Sequence, residues 1–267
     1  MTERQHKLRL GGMALANGLL VHGPTHWAAA VRRRDGTIGV TSGPKPRARG
    51  PVERVPGARG VIRLGEAMLV IPLVKRALPE ARLPFQEGKV IAAGVAATAA
   101  GAALRRRGGG PAVEAAVAAV SLVPSLVSLR GGDVAAYHGV EHKAIAAYEQ
   151  GATDARDAAK EHDRCGSHLM APMLAANIAG AMLLRRASER PSKLAGAAVA
   201  VASVGAAVEV FAWSERHSGT ALSRALRRPG YELQRLVGTR EPTEEQLEVG
   251  RAALAEILRV ERADASR

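Results

Sequence analysis

A short stretch in the middle of the chain carries residues that bind metals and activate water. The segment YHGVEHKAIAAYE (137–149) holds His138, Glu141 and His142 at positions i, i+3 and i+4. On a helix these three side chains project from one face. The string H-x-x-E-H is the inverted zincin pattern, in which two histidines bind zinc and the glutamate acts as general base. The spacing therefore predicts His138 and His142 as metal ligands and Glu141 as the catalytic base.

A second group of metal-binding residue types follows in KEHDRCGSH (160–168). His162 and Cys165 form an H-x-x-C pair, and both an imidazole and a thiolate suit zinc. The chain has only eight histidines and one cysteine, so their concentration in these two segments is informative. We predict one site for a divalent ion, preferably zinc, with these ligands: His138, His142, His162 and Cys165.

The number of ligands decides what such a site does. Three protein ligands leave a position for water and favour a hydrolase, whereas four complete a tetrahedron and make the site structural. Other interpretations stay open: the two helix histidines can be ordinary polar residues, and Cys165 can be a small buried residue or a reactive thiol. The sequence does not decide among them.

The composition indicates a membrane surface rather than a nucleic acid as partner. The net charge is +13 and the pI about 10.9, while aromatic residues make up only 3% of the chain. The arginines are scattered, and few aromatic side chains are present to stack on bases. A basic balance also suits anionic lipid head groups. We expect a lipid bilayer with anionic head groups as partner, with a protein partner as a further option, and no nucleic acid.

The site must be positioned by helices, because four uncharged stretches rich in alanine flank it. They cover residues 90–104, 115–129, 169–184 and 194–208. Each is shorter than the roughly 20 residues that span a bilayer, but they are apolar all round and contain many small residues. We predict a mainly α fold with about four short membrane helices. The N-terminal part, the segment 130–168 and the C-terminal tail then share one side of the membrane.

The remaining segments predict a small β element and a soluble tail. Residues 25–43 alternate around Asp35-Gly36, which favours a β-hairpin. The glycine motif before it, GGMALANGLLVHGP, is interpreted as a structural loop that docks near the site. The predicted organisation is 1–60 for the glycine motif, hairpin and Pro/Arg-rich linker (43–60), 61–214 for the helical membrane domain with the metal-site loop 130–168, and 215–267 for the soluble helical tail.

Several motifs, taken in order, resemble the YqhQ-like family, a bacterial family of unknown function described as predicted metal-dependent integral-membrane proteins. These are the glycine motif, PGARGVIRLGEAM, YHGVEHKAIAAYE, HDRCGSH and PGYELQRLVGTREPTEEQLEVGRAAL, which together span about residues 10–255. The resemblance implies membrane insertion and a metal site at His138, Glu141, His142, His162 and Cys165. It also has a departure, since Asn17 stands where the family commonly has a glutamate.

Two functions follow as expectations. The first is a metal-dependent hydrolase with an H-x-x-E-H site, acting on a membrane-associated peptide, amide or ester. The second is a membrane scaffold or assembly factor with a closed structural metal site and no catalysis. In both, the protein is expected to cross the bacterial inner membrane several times. The side with the metal site carries most of the lysine and arginine residues and is expected to be cytoplasmic.

Overall fold

A computed structural model describes residues 7–266, except positions 49, 51–54, 56, 109, 131, 153, 189 and 190. The strands are β1 (Gly11–Leu15), β2 (Gly18–His22), β3 (His26–Arg32) and β4 (Ile38–Pro44). The helices are α1 (Ala58–Ala77), α2 (Gly88–Arg107), α3 (Pro111–Ser121), α4 (Val123–Arg130), α5 (Val134–Gln150), α6 (Met170–Ala187), α7 (Lys193–Arg216), α8 (Ala221–Leu233) and α9 (Glu244–Ala265). A π-helical turn, Gln234–Gly238, follows α8 directly. The mainly helical class predicted from the sequence is confirmed, while positions 49, 51–54 and 56 of the predicted linker 43–60 lie outside the described residues.

The predicted hairpin around Asp35-Gly36 is present as β3 and β4. These strands pair antiparallel from His26 opposite Pro44 to Arg32 opposite Ile38. Gly36 adopts a φ of +85° in the connecting turn, a conformation that side chains with a Cβ rarely tolerate. Local turn chemistry was therefore sufficient to identify this element.

The N-terminal glycine motif forms strands, so its interpretation as a loop is wrong. Its residues make β1 and β2, which extend the hairpin to a four-stranded antiparallel sheet in the order β1-β2-β3-β4 among the described residues. The glycines lie within these strands and do not interrupt them. Leu19 and Val21 face one buried layer, while Leu15 and Leu20 face another. Because both faces are covered, the motif lacks the polar alternation that usually marks a strand.

Helices cover both faces of this sheet. One face packs against α1 through Val70, Val74 and Leu78. The other face packs against α5 and α9 in a single core that includes Val140 and Ile257. The sheet thus holds α5, the helix with the H-x-x-E-H string, in a fixed place.

Asn17 is a structural residue in the turn between β1 and β2. Its buried amide nitrogen donates to the carbonyl oxygens of Arg32 (3.0 Å) and Glu80 (3.1 Å). Its amide oxygen accepts from the backbone N–H of Arg82 (2.9 Å). The side chain uses both ends to join the hairpin to the segment after α1.

Three stretches are long and apolar enough to cross a membrane in the described part of the chain: Pro111–Arg130, Gly166–Ala187 and Lys193–Arg216. Between 6% and 17% of their most apolar windows is buried within the protein. Such extensive exposure of apolar side chains fits a lipid environment. The predicted fourth helix, within α2, is not among them. Its apolar residues are mainly alanine, which contributes little to insertion, and it ends in three arginines.

Glu261 of α9 binds the turn between β2 and β3. Its carboxylate oxygens accept from the backbone N–H groups of Thr25 (2.9 Å) and His26 (2.8 Å) and from the Thr25 hydroxyl (2.8 Å). Glu261 is only 5% exposed. It therefore fixes the C-terminal helix to the sheet through a charge that several donors compensate.

Replacing Glu261 by alanine should lower the free energy of unfolding by about 2 kcal/mol, because buried donors lose their acceptor. Thermal unfolding in detergent, followed by circular dichroism, measures the loss. The control is Glu248→Ala, which removes a half-exposed partner of Arg32 and should cost less than about 1 kcal/mol. Equal losses in the two variants would contradict this role of Glu261.

Candidate metal centre

Three predicted ligands meet at one point. The metal-binding atoms of His138, His142 and Cys165 all lie within 4.8 Å of one another, so the group could hold a metal ion. The Nε2 atom of His138 is 3.4 Å from the Cys165 thiol sulfur. Ligand atoms around one tetrahedral zinc ion lie roughly 3.5 Å apart, given bonds of about 2.0–2.3 Å. The arrangement is thus slightly more open than a filled zinc site and of the right scale for one ion.

Backbone carbonyls orient both imidazoles. Nδ1 of His138 donates to the carbonyl oxygen of Gly238 (2.8 Å), and Nδ1 of His142 donates to that of Lys160 (2.6 Å). A carbonyl only accepts, so the proton of each neutral ring lies on Nδ1 and the Nε2 lone pair is free. Nε2 of His142 is buried without a hydrogen-bond partner among the described residues. A buried imidazole nitrogen with a free lone pair and no hydrogen-bond partner is suited to bind a metal ion.

Burial also sets the protonation of the ligands. It lowers the pKa of His142 to about 2, assisted by the nearby His138 ring, so His142 is neutral at physiological pH. Burial raises the pKa of the Cys165 thiol, although hydrogen bonding to Ser167 acts in the opposite direction. A thiol in this environment is not the low-pKa nucleophile that a reactive cysteine requires.

Glu141 lies beside this group as the sequence predicted. Its Oε2 atom is 3.9 Å from Nε2 of both His138 and His142. Burial raises the pKa of its carboxyl group to about 7, while the neighbouring His138 acts to lower it. Close packing with Gly12 of β1 holds the side chain, because a Cβ at that position would come within 2.6 Å of Glu141 Cγ.

His162 lies next to the group, with both ring nitrogens engaged elsewhere. Its Nδ1 accepts from the backbone N–H of Arg164 (3.2 Å), and its Nε2 is 3.3 Å from a Glu149 carboxylate oxygen. The ring centre is 5.6 Å from that of His142. The structure thus brings three of the four predicted ligands together with Glu141, and a ligand role for His162 stays a prediction.

The group lines a cavity of about 440 Å³. One wall comes from β1 and its neighbour β2, and the other from α5 and the loop that carries Cys165. Its lining residues are Leu10, Gly11, Gly12, Met13, Ala14, His22, His138, Glu141, His142, Ile145, His162, Arg164, Cys165, Gly166 and Ser167. The cavity gives a small molecule or a short chain segment access to the metal-binding atoms.

A buried glutamine that the sequence did not single out holds the loop with Cys165. The Gln234 side chain accepts from the backbone N–H of His162 (2.8 Å) and donates to the Ser167 hydroxyl (2.8 Å). It lies in the π-helical turn that also supplies the Gly238 carbonyl. No local pattern marks this glutamine as functional, since its partners are distant along the chain.

A family model described as "Protein of unknown function (DUF1385)" matches residues 118–260, slightly more than half of the chain. The matched range contains all four predicted ligands, Glu141 and Gln234. No curated protein and no solved structure matches the chain. The site therefore has to be interpreted from its own chemistry.

Gln234→Leu should lower the affinity for zinc by roughly 10- to 100-fold, because the groups that orient metal ligands contribute on this scale. Competition with a chelator, measured on purified protein, gives the affinity. The control variant Gln150→Leu makes the same chemical change at the exposed end of α5 and should bind zinc as the wild type does. Unchanged affinity in folded Gln234→Leu protein would contradict the orienting role.

Proposed function

The chain belongs to the family described as "Protein of unknown function (DUF1385)", and we propose that it is a metal-dependent hydrolase that acts at a membrane surface on a peptide, amide or ester. The observation that carries the proposal is the grouping of His138, His142 and Cys165 on a cavity wall, with Glu141 beside them. Two imidazoles and a cysteine thiolate are ligands that zinc prefers.

In the proposed hydrolysis the metal ligands and Glu141 have separate roles. A divalent ion held by His138, His142 and Cys165 would polarise the substrate carbonyl group and would make a bound water more acidic. Glu141 accepts a proton from the attacking water at Oε2 and passes it to the leaving amine or alcohol as the C–N or C–O bond breaks. The water oxygen becomes part of the new carboxyl group. The Nδ1–H groups of His138 and His142 continue to donate to the carbonyl oxygens of Gly238 and Lys160 throughout.

An open coordination position is supported by the hydrogen bonds of His162. Its ring nitrogens are occupied by Arg164 and Glu149, so three protein ligands account for the group. Three ligands facing a cavity are typical of catalytic zinc sites, whereas structural sites use four. The alternative, a membrane scaffold with a closed site, requires one ring nitrogen of His162 to exchange its present partner for the metal.

The membrane setting also belongs to the proposal. Cys165 directly precedes the candidate span Gly166–Ala187, which favours a site at the membrane surface. We infer a multi-pass protein of the bacterial inner membrane with this site on the cytoplasmic side, near anionic head groups. The inference draws on the resemblance to the YqhQ-like family and on the basic residues of that side.

Wild-type protein should retain about one zinc ion per chain after dialysis, since the group is sized for one ion. His142→Ala should lose it, because this variant removes the buried Nε2 atom. His162→Ala should keep it if the site has three ligands. Elemental analysis by mass spectrometry measures the content, and loss of zinc from His162→Ala protein that remains folded would indicate the closed site.

Glu141→Gln should retain zinc but lower turnover by roughly 10²- to 10⁴-fold, the usual contribution of a general base. Turnover is measured with fluorogenic peptide, amide and ester substrates in liposomes. Glu149→Gln, which changes a carboxylate that contacts His162 rather than the metal group, is the control and should keep most activity. Zinc-loaded wild type with no turnover of any class would favour the scaffold.

A further inference from the structure

The outer edge of β1 forms a wall of the cavity. Within the described residues β1 pairs only with β2, so its other side has no strand partner. Residues Leu10–Ala14 line the cavity consecutively, opposite the loop that carries Cys165. The free edge of a strand presents backbone donors and acceptors that can pair with another extended chain.

The hydrogen bonds of the sheet show which residues point outward. The carbonyl of Asn17 accepts from β3 at 2.8 Å, so this residue directs its backbone groups toward β3. Neighbouring residues of a strand point to opposite sides, so Gly18 faces β1, where its partner is Leu15. The same alternation along β1 leaves the backbone groups of Ala14 and Gly12 pointing away from β2, into the cavity.

The outer edge is covered at both ends and open in the middle. Beyond Ala14, the backbone N–H of Ala16 donates to the carbonyl of Arg82 (2.8 Å). Before Gly12, the Arg164 guanidinium lies 3.4 Å from the carbonyl oxygen of Leu10. The outward N–H and C=O groups of the two residues between them have no protein partner in the part of the chain that the structure describes. The open stretch coincides with the cavity.

We propose that the substrate is a peptide, bound in an extended conformation as an additional strand on β1. This inference rests on the proposed hydrolase and narrows its substrate from peptide, amide or ester to peptide. Only a peptide backbone offers donors and acceptors that alternate at the spacing of a strand, and strand addition is a common mode of peptide recognition. An ester or a lipid amide has no such repeat.

The position of the edge places such a peptide beside the reactive groups. Gly12 packs directly against Glu141, since an added Cβ would lie 2.7 Å from Oε1. Glu141 therefore lies over the sheet face at Gly12, and a peptide paired with the outward groups of Gly12 would enter the cavity that Glu141 and the ligand group also line. Leu10, Met13 and Ile145 contribute apolar surface to the same cavity, which favours apolar side chains on the peptide.

Hydrogen exchange tests the pairing without requiring turnover. The full-length Glu141→Gln protein, loaded with zinc in detergent, is mixed with a randomised library of acetylated and amidated octapeptides. The amides of Gly12 and Ala14 should exchange at least about tenfold more slowly, because new strand hydrogen bonds protect them. Amides on the other outer strand, β4, should exchange at their original rate.

Two matched variants test whether peptide binding occurs at the outer edge of β1. Ala14→Pro removes one outward N–H without touching a ladder bond, and should weaken peptide binding about tenfold. Val40→Pro is the control, because it occupies an outward position on β4, in register with the natural Pro44. As a test that leaves the protein unchanged, octapeptides N-methylated at every residue should bind about tenfold more weakly than unmethylated ones, because neither edge of such a peptide can donate hydrogen bonds to β1.

The results of these experiments distinguish the proposed peptide binding at β1 from the proposed hydrolase activity. The proposal that a peptide pairs with β1 is overturned if the amides of Gly12 and Ala14 gain no protection from exchange. It is also overturned if methylated and unmethylated peptides bind equally, even when an ester is hydrolysed. Protection without zinc-dependent turnover by wild type keeps peptide binding and rejects the hydrolase. Protection that Ala14→Pro abolishes and Val40→Pro retains supports the inference.

Discussion

Two hydrogen bonds from imidazole Nδ1 atoms to backbone carbonyls determine the chemistry of the centre. Without them each ring is free to exchange its proton between nitrogens and to rotate, and the cluster has no defined donor set. The carbonyls belong to Gly238 and Lys160, which lie in different segments from the histidines they hold. The π-helical turn and the loop before Cys165 therefore act as parts of the site through the carbonyl oxygens that they supply.

The sheet provides the rigid support that these hydrogen bonds need. Helices α5 and α9 lie side by side on one face of the sheet, and small residues permit their close approach. A Cβ at Gly250 would come within 2.3 Å of the Val140 side chain, and one at Gly139 within 2.4 Å of the Arg240 carbonyl oxygen. Dense packing of this kind leaves α5 little freedom to shift relative to β1. The distance between Glu141 and the strand edge is thus set by the core.

The features predictable from the sequence are those encoded over a few residues. The grouping of His138, Glu141 and His142 follows from helical periodicity, and the β3–β4 hairpin follows from Asp35-Gly36. The strands β1 and β2 were missed because glycine marks both turns and close approaches, and only tertiary packing distinguishes the two. The side chain of Gln234 gave no signal because its partners are more than sixty residues away along the chain. A fourth membrane helix, within α2, stays a prediction, because alanine dominates there and suits protein and lipid surroundings almost equally.

The dependence of His138 on Gly238 has a consequence for the order of events during synthesis. A chain emerging from the ribosome exposes its histidines and its cysteine well before the segment with the orienting carbonyl has been made. Until that segment folds against α5, the His138 ring has no fixed tautomer, and the cluster is only a flexible collection of ligands. Completion by a distant carbonyl therefore delays assembly of the centre until the turn with Gly238 has been made and has folded against α5, which keeps a shorter partly made chain from carrying a finished site.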